Sequence, residues 1–197
     1  MKGLLVALWV IITGVMIVSS PYVVRAVCVK NCVLAEQVDR IVSNPRGNVE
    51  NELEALAIRN GGNLFTEAEV SHLVDVGILV RSLRITWIVI SICVVFLGKR
   101  IASQNIIAGL RVSLGLIGSL GLLILFYWDK FFEGFHRVLF PQGNWAFPAD
   151  SKLLAVFPEN FWQKMGSVTL MIIMIIWIIL VLAMLLCKKI KAMACTK

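Results

Sequence analysis

Hydrophobic positions along this chain gather into four long runs, separated by two polar stretches of unequal length and one short basic one. A helix needs about 20 mostly apolar residues to cross roughly 30 Å of hydrocarbon. Residues 3–20, 106–128 and 168–186 meet that requirement as they stand. The second run is less clean, because its uncharged part, 85–97, is too short alone. It is therefore read as a span over 78–98, with Arg81 and Arg84 reaching along their aliphatic stems to the interface. Arg111, near one end of the third run, does the same. A cleavable signal peptide is the other reading of the first run, with Lys2 as its basic start and Ser19 and Ser20 before the cut; Pro21 at the next position argues against cleavage.

The first polar stretch, 21–77, is too long for a plain connector and is expected to carry structure of its own. Leu34, Val38 and Ile41 recur at helical spacing, and so do Val49, Leu53 and Leu56, which predicts two short amphipathic helices around a Ser43-Asn44-Pro45-Arg46-Gly47 turn. Gly61-Gly62-Asn63 ends the second. Thr66-Glu67-Ala68-Glu69 is a capping-box pattern that opens a third helix at Thr66, one that can run on into the second span. This helix carries Ser71, His72 and Asp75. His72 then stands about 9 Å above Ile78, at the outer boundary of the membrane.

Composition sharpens this reading. Apolar residues make up 59% of the 197 positions and charged ones 16%, too apolar for one soluble domain of this length. Disorder is excluded by the same figures, and five cysteines are too few for a disulfide-stapled scaffold. The formal charge of +7 is unevenly placed. Lys2, Lys99, Arg100, Arg111, Lys188, Lys189, Lys191 and Lys197 share one side with no acid among them. All twelve acids and the other eleven bases fall on the opposite side, which nets −1. By the positive-inside rule the termini and the 99–105 loop are cytoplasmic, as is the 187–197 tail, whereas 21–77 and 129–167 lie outside. A surplus that sets orientation leaves no basic surface for nucleic acid, which is not expected as a partner.

The second outer loop is rich in rings. Twelve of the chain's eighteen aromatic residues fall in the 37 residues from Phe126 to Trp162, a composition that favours the headgroup level. The only two histidines, His72 and His136, both come out on the outer side near span ends. Imidazole takes and gives a proton near neutral pH and can polarise a carbonyl. Asp75, at i+3 from His72, is placed to orient that ring and fix its tautomer, and Asp150 is a second candidate. A purely interfacial, hydrogen-bonded role is the bland alternative for each histidine. Serine hydrolase and zinc peptidase motifs are missing, and two histidines with scattered acids form a weak metal or haem signal. Cys28 and Cys32 lie outside, where oxidation is permitted; on a helix their Cα atoms would be about 6 Å apart. A four-span thiol oxidoreductase is thus a rival, although such enzymes rely on C-x-x-C and a second cysteine pair. Gly115, Gly118, Ser119 and Gly121 in the third span read as close helix packing.

Four blocks carry a family resemblance: Glu69-Val70-Ser71-His72-Leu73-Val74-Asp75-Val76, Phe135-His136-Arg137-Val138-Leu139-Phe140, Asn144-Trp145-Ala146-Phe147-Pro148-Ala149-Asp150 and Phe157-Pro158-Glu159-Asn160-Phe161-Trp162. They resemble the lipoprotein intramolecular transacylases of Gram-positive bacteria, whereas the segment from Pro21 to Asn60 matches nothing in that pattern. The resemblance implies an all-α integral membrane protein of the bacterial cell membrane, a four-helix transmembrane core with an extracellular cap formed by two outer loops. It also implies a reaction: the sn-2 acyl chain of a diacylglyceryl-modified lipoprotein moves to the α-amino group of the N-terminal cysteine, giving the lyso form. His72 and His136 become the expected catalytic residues, with His136 the base and His72 the electrophilic or acid partner. Asp75, Asp150, Trp145 and Arg137 are expected to support them. The lipoprotein and membrane lipid are the expected partners, with no cofactor and no metal. A non-enzymatic membrane sensor or scaffold is the remaining alternative.

Overall fold

The computed structural model describes residues 2–28, 30–44, 46–62 and 64–195, and every regular element within them is helical. Pro45 and Asn63 of the predicted turns, and the basic Lys197, lie outside the described residues. Helix α1 spans Lys2–Val18 and α2 Pro21–Val27; α3 covers Cys32–Val42 and α4 Val49–Arg59. Then come α5 (Glu67–Leu97), α6 (Ser103–Phe126), α7 (Trp128–Leu139), α8 (Lys152–Val156) and α9 (Glu159–Cys195). Helices α5, α6 and α9 are each long and apolar enough to cross a membrane, and α1 makes a fourth if it and α2, bent by 67° between them, count as one span.

Local chemistry sets the helix starts. Asn48 caps α4 by accepting from the Asn51 amide, and the predicted capping box opens α5, with Thr66 and Glu69 each bonding the other's backbone. At 31 residues and 1.5 Å per residue, α5 is about 46 Å long, well beyond the thickness of a bilayer core. Its apolar 18-residue stretch contains no buried residue, whereas Glu69, His72, Leu73 and Gly77 nearer its start are buried. The apolar stretch therefore begins past Gly77, and the first third of α5 belongs to the cap.

Two cores follow from this division. In the cap, Val38 of α3, Leu53 of α4, Leu73 of α5, Val156 of α8 and Phe161 of α9 pack as in a water-soluble domain. Among the long helices the core is thin, built on Val6 and Val10 of α1 against Ile173 and Trp177 of α9. Their other apolar side chains face outward, Val95 with 79% exposure, as on helices solvated by lipid. Two reciprocal bonds tie α1 to α5: the Trp9 indole donates to Ser91 Oγ at 3.0 Å, and the Trp87 indole to Thr13 Oγ1 at 2.9 Å. Arg81 and Arg84 donate to the Gly47 and Ser43 carbonyls of the α3–α4 turn, so their stems carry the charges from α5 up into the cap.

The expected packing glycines of the third span require correction. Nothing lies within 4 Å of a Cβ built on Gly115 or Gly118, and Gly121 makes only an ordinary contact, 3.8 Å, with Leu170. Close approach is made instead by Gly109, where a Cβ would sit 2.7 Å from the Gly3 carbonyl and 3.1 Å from the Trp177 ring. At 3.6 residues per turn, Gly109 and the buried Ser113 share one face of α6 and Gly115 and Gly118 lie round the other side. Glycine content marked the helix but not its inner face.

Candidate active site

Both histidines come to one place. His72 sits on the cap portion of α5 and is only 8% exposed. His136 sits in the last turn of α7, a short helix that starts directly after α6 ends at Phe126. Their ring centroids are 6.0 Å apart. Phe140 serves both, edge-on to His72 at 4.8 Å and 5.8 Å from His136. Phe147 also packs edge-on against His72 at 5.7 Å, and Phe132 and Trp145 lie 4.0 and 5.1 Å from His136.

This setting governs their protonation. Burial, joined by the nearby His136, pulls the His72 pKa down to about 4, against the opposing pull of Asp75 and Asn144. Burial also lowers His136, opposed by its bond to the Phe132 backbone. Both rings are thus neutral at pH 7 and free to accept a proton. In His136, Nδ1 lies 2.8 Å from the Phe132 carbonyl oxygen. A carbonyl can only accept, so this contact puts the proton on Nδ1 and leaves the lone pair on Nε2.

The supporting residues distribute themselves differently from the sequence expectation. Asp75 makes its hydrogen bonds with two carboxamides, accepting from Gln142 Nε2 at 2.7 Å and Asn144 Nδ2 at 2.6 Å. It acts on His72 through its charge, while His72 Nδ1 is buried without a hydrogen-bond partner. Trp145 is beside His136 as described. Arg137 points to solvent in an ion pair with Glu133, and the exposed Asp150 lines a surface cavity with Phe65, Phe147 and Lys152.

Three contributors make long-range bonds that the sequence reading did not assign. Gln142 and Asn144 reach α5 because Gly143, at φ +81°, turns the chain between them. Glu69 is the third. Beyond capping α5, its carboxylate accepts from Ser151 Oγ and from the Leu153 amide at 2.9 Å, which locks the start of α8 onto α5. Burial would raise this carboxyl, but the bonds from Ser151, Thr66 and Leu153 outweigh it and hold the group below the usual carboxylate range. Elsewhere in the cap, Cys28 and Cys32 form a disulfide, with Cα atoms 5.4 Å apart, that joins the end of α2 to the start of α3.

Two neutral imidazoles in an aromatic, partly buried setting can shuttle a proton at one reacting centre. No group of three or more metal-ligating side chains occurs among the described residues. An uncharacterized protein of Aquifex aeolicus (strain VF5) is 33% identical over 138 residues, 66% of this chain and 61% of that protein. This chain thus spans about three-fifths of the relative's length. No solved structure matches. The family model described as lipoprotein intramolecular transacylase Lit matches residues 3–162, a stretch that holds both histidines and both carboxamides. On that match, the chain belongs to the lipoprotein intramolecular transacylase family.

Proposed function

We propose that this protein is a membrane acyltransferase that moves the sn-2 acyl chain of a diacylglyceryl-modified lipoprotein to the α-amino group of its N-terminal cysteine. The observation that carries the reading is the meeting of His72 and His136 at 6.0 Å in a chain of this family. The termini are cytoplasmic and the cap is extracellular, so both rings stand at the level of lipid esters in the outer leaflet. His72 and His136 touch the reacting groups; Asp75 and Trp145 support them.

The α-amino group, with an ordinary pKa of about 7.7–8.0, attacks the ester carbonyl as the free amine. The new N–C bond forms and the nitrogen gives up a proton to His136 Nε2. As the C–O bond to the glycerol breaks, that proton passes to the departing oxygen, leaving a glycerol hydroxyl and a neutral His136. His72, on the far side of the same space, holds the amine toward the ester. Amine and ester belong to one molecule, so positioning them supplies much of the acceleration. The surrounding rings keep water from competing for the acyl group.

Purified protein incubated with a synthetic diacylglyceryl-cysteine peptide tests this. Substrate and product are isomers of equal mass, so the readouts are the N-terminal fragment ions and the loss of amine reactivity. N-acylated peptide supports the proposal; an unaltered amine, or release of free fatty acid alone, contradicts it.

A further inference from the structure

Asn144 holds its carboxamide in a fixed sense. Its nitrogen donates to Asp75 Oδ2 at 2.6 Å and to Ser71 Oγ at 3.1 Å. A carboxylate accepts only, so turning the amide over would set oxygen against oxygen. Gln142 binds the same carboxylate and braces the arrangement. Ser71 and Asp75 flank His72 on α5, so the Asn144 amide lies across that residue, and its oxygen is left facing inward. Asn144 Oδ1 is buried without a partner, and so is His72 Nδ1. Asn144 is close enough to the His72 ring to oppose, in small part, the lowering of its pKa by burial. One orphan is an obligate acceptor and the other becomes a donor as soon as it carries the proton. Leaving both unsatisfied costs stability, and a bond between them removes both costs at once.

From this juxtaposition we infer that Asn144 is the positioning residue of His72: its Oδ1 accepts a hydrogen bond from Nδ1–H and so fixes the ring as the Nδ1–H tautomer. This rests on the transacylase reading and adds to it the manner in which the amine is held. With His136 set in the same tautomer by the Phe132 carbonyl, both imidazoles offer an Nε2 lone pair to the space between them. The site is then a two-acceptor clamp for a primary amine, one N–H to each ring, with the nitrogen lone pair aimed at the ester. His72 is an acceptor at rest and becomes an acid only after it has gained a proton at Nε2.

Histidine-selective nitrogen labelling reads this directly, because the chain has only two histidines and single His72→Gln and His136→Gln variants assign the four ring nitrogens. At neutral pH the wild type shows His72 protonated on Nδ1. In Asn144→Leu that preference is lost while the His136 signals stay in place, and transacylation falls about tenfold. A wild-type His72 protonated on Nε2 overturns the inference, as does an unchanged tautomer in Asn144→Leu. If Asn144→Leu disturbs His136 as well, the wild-type tautomer decides alone, with Ser71→Ala expected to weaken the preference partially. The expected tautomer without any N-acylated product refutes the transacylase reading and leaves the Asn144–His72 bond standing.

Discussion

His72 on α5 and His136 on α7 meet with ring centroids 6.0 Å apart and share Phe140 as a common wall. Helices α5 and α6 join through a short 3-10 turn, and α7 then brings His136 back to the N-terminal part of α5. This return places the second imidazole opposite the first. Two elements hold the return in position: Gln142 and Asn144 on Asp75, and Ser151 and Leu153 on Glu69.

Glu69→Gln should destabilise the cap by about 1–3 kcal/mol, since an amide nitrogen would replace an oxygen that now faces a donor. The folded carboxyl titrates below its ordinary 4.5, so its contribution is present above about that pH and lost as pH falls through the folded pKa. Thermal unfolding of the wild type and variant should differ at pH 7 and converge in acid. An equal gap at both extremes would count against a role for the ionised group.

Asp39 in α3 runs the other way. Burial, only partly offset by Arg40 and Ser43, pushes its pKa up to about 7, and its Oδ2 is buried without a partner. A folded pKa above the unfolded one means that the cost of ionisation grows as pH rises from about 4 to about 7 and is complete above that. Asp39→Asn should raise the melting temperature at pH 8 and leave it nearly unchanged at pH 4. A variant less stable at pH 8 than the wild type would contradict this.

Much of this architecture was legible in the sequence, for identifiable reasons. Hydropathy and length are properties of single helices, so the apolar runs were visible; the Thr66–Glu69 box and the Val38 and Leu53 periodicities are local and were visible too. Long-range pairings were not. Glu69 announced its capping role but not its bonds to Ser151 and Leu153, and nothing near Asn144 indicated that it would reach Asp75. Asp75 was placed by spacing beside His72, yet the carboxamides of a distant turn take its hydrogen bonds. The small residues of α6 failed as a guide because glycine permits close approach without specifying on which side a neighbour stands.

Gly109→Val should cost about 1–3 kcal/mol through overpacking, because its Cβ would press on the Gly3 carbonyl and Trp177. Gly115→Ala and Gly118→Ala, with open space around them, should be neutral or more stable by up to about 1 kcal/mol. Size-exclusion thermostability of the detergent-solubilised variants gives the ranking, and equal tolerance at all three positions would refute the packing described for α1, α6 and α9.

Cys28→Ser and Cys32→Ser should leave most transacylation intact, since the bridge joins α2 to α3 and supplies neither a proton nor a nucleophile to the histidines. Product formation by each variant beside the wild type tests this. Near-complete loss in both, with folding preserved, would favour thiol–disulfide chemistry instead.

The central claim is that His72 and His136 together carry out acyl transfer, and the most direct test is made in a bacterium lacking other N-acylating enzymes. Fragment-ion analysis of lipoprotein N-terminal peptides is compared for cells without the chain, with the wild type, and with His72→Ala or His136→Ala present at equal membrane levels. The prediction is lyso-form N-acyl peptides with the wild type and a fall of about a hundredfold or more in each variant. Undiminished lyso-form product in both histidine variants would contradict the account.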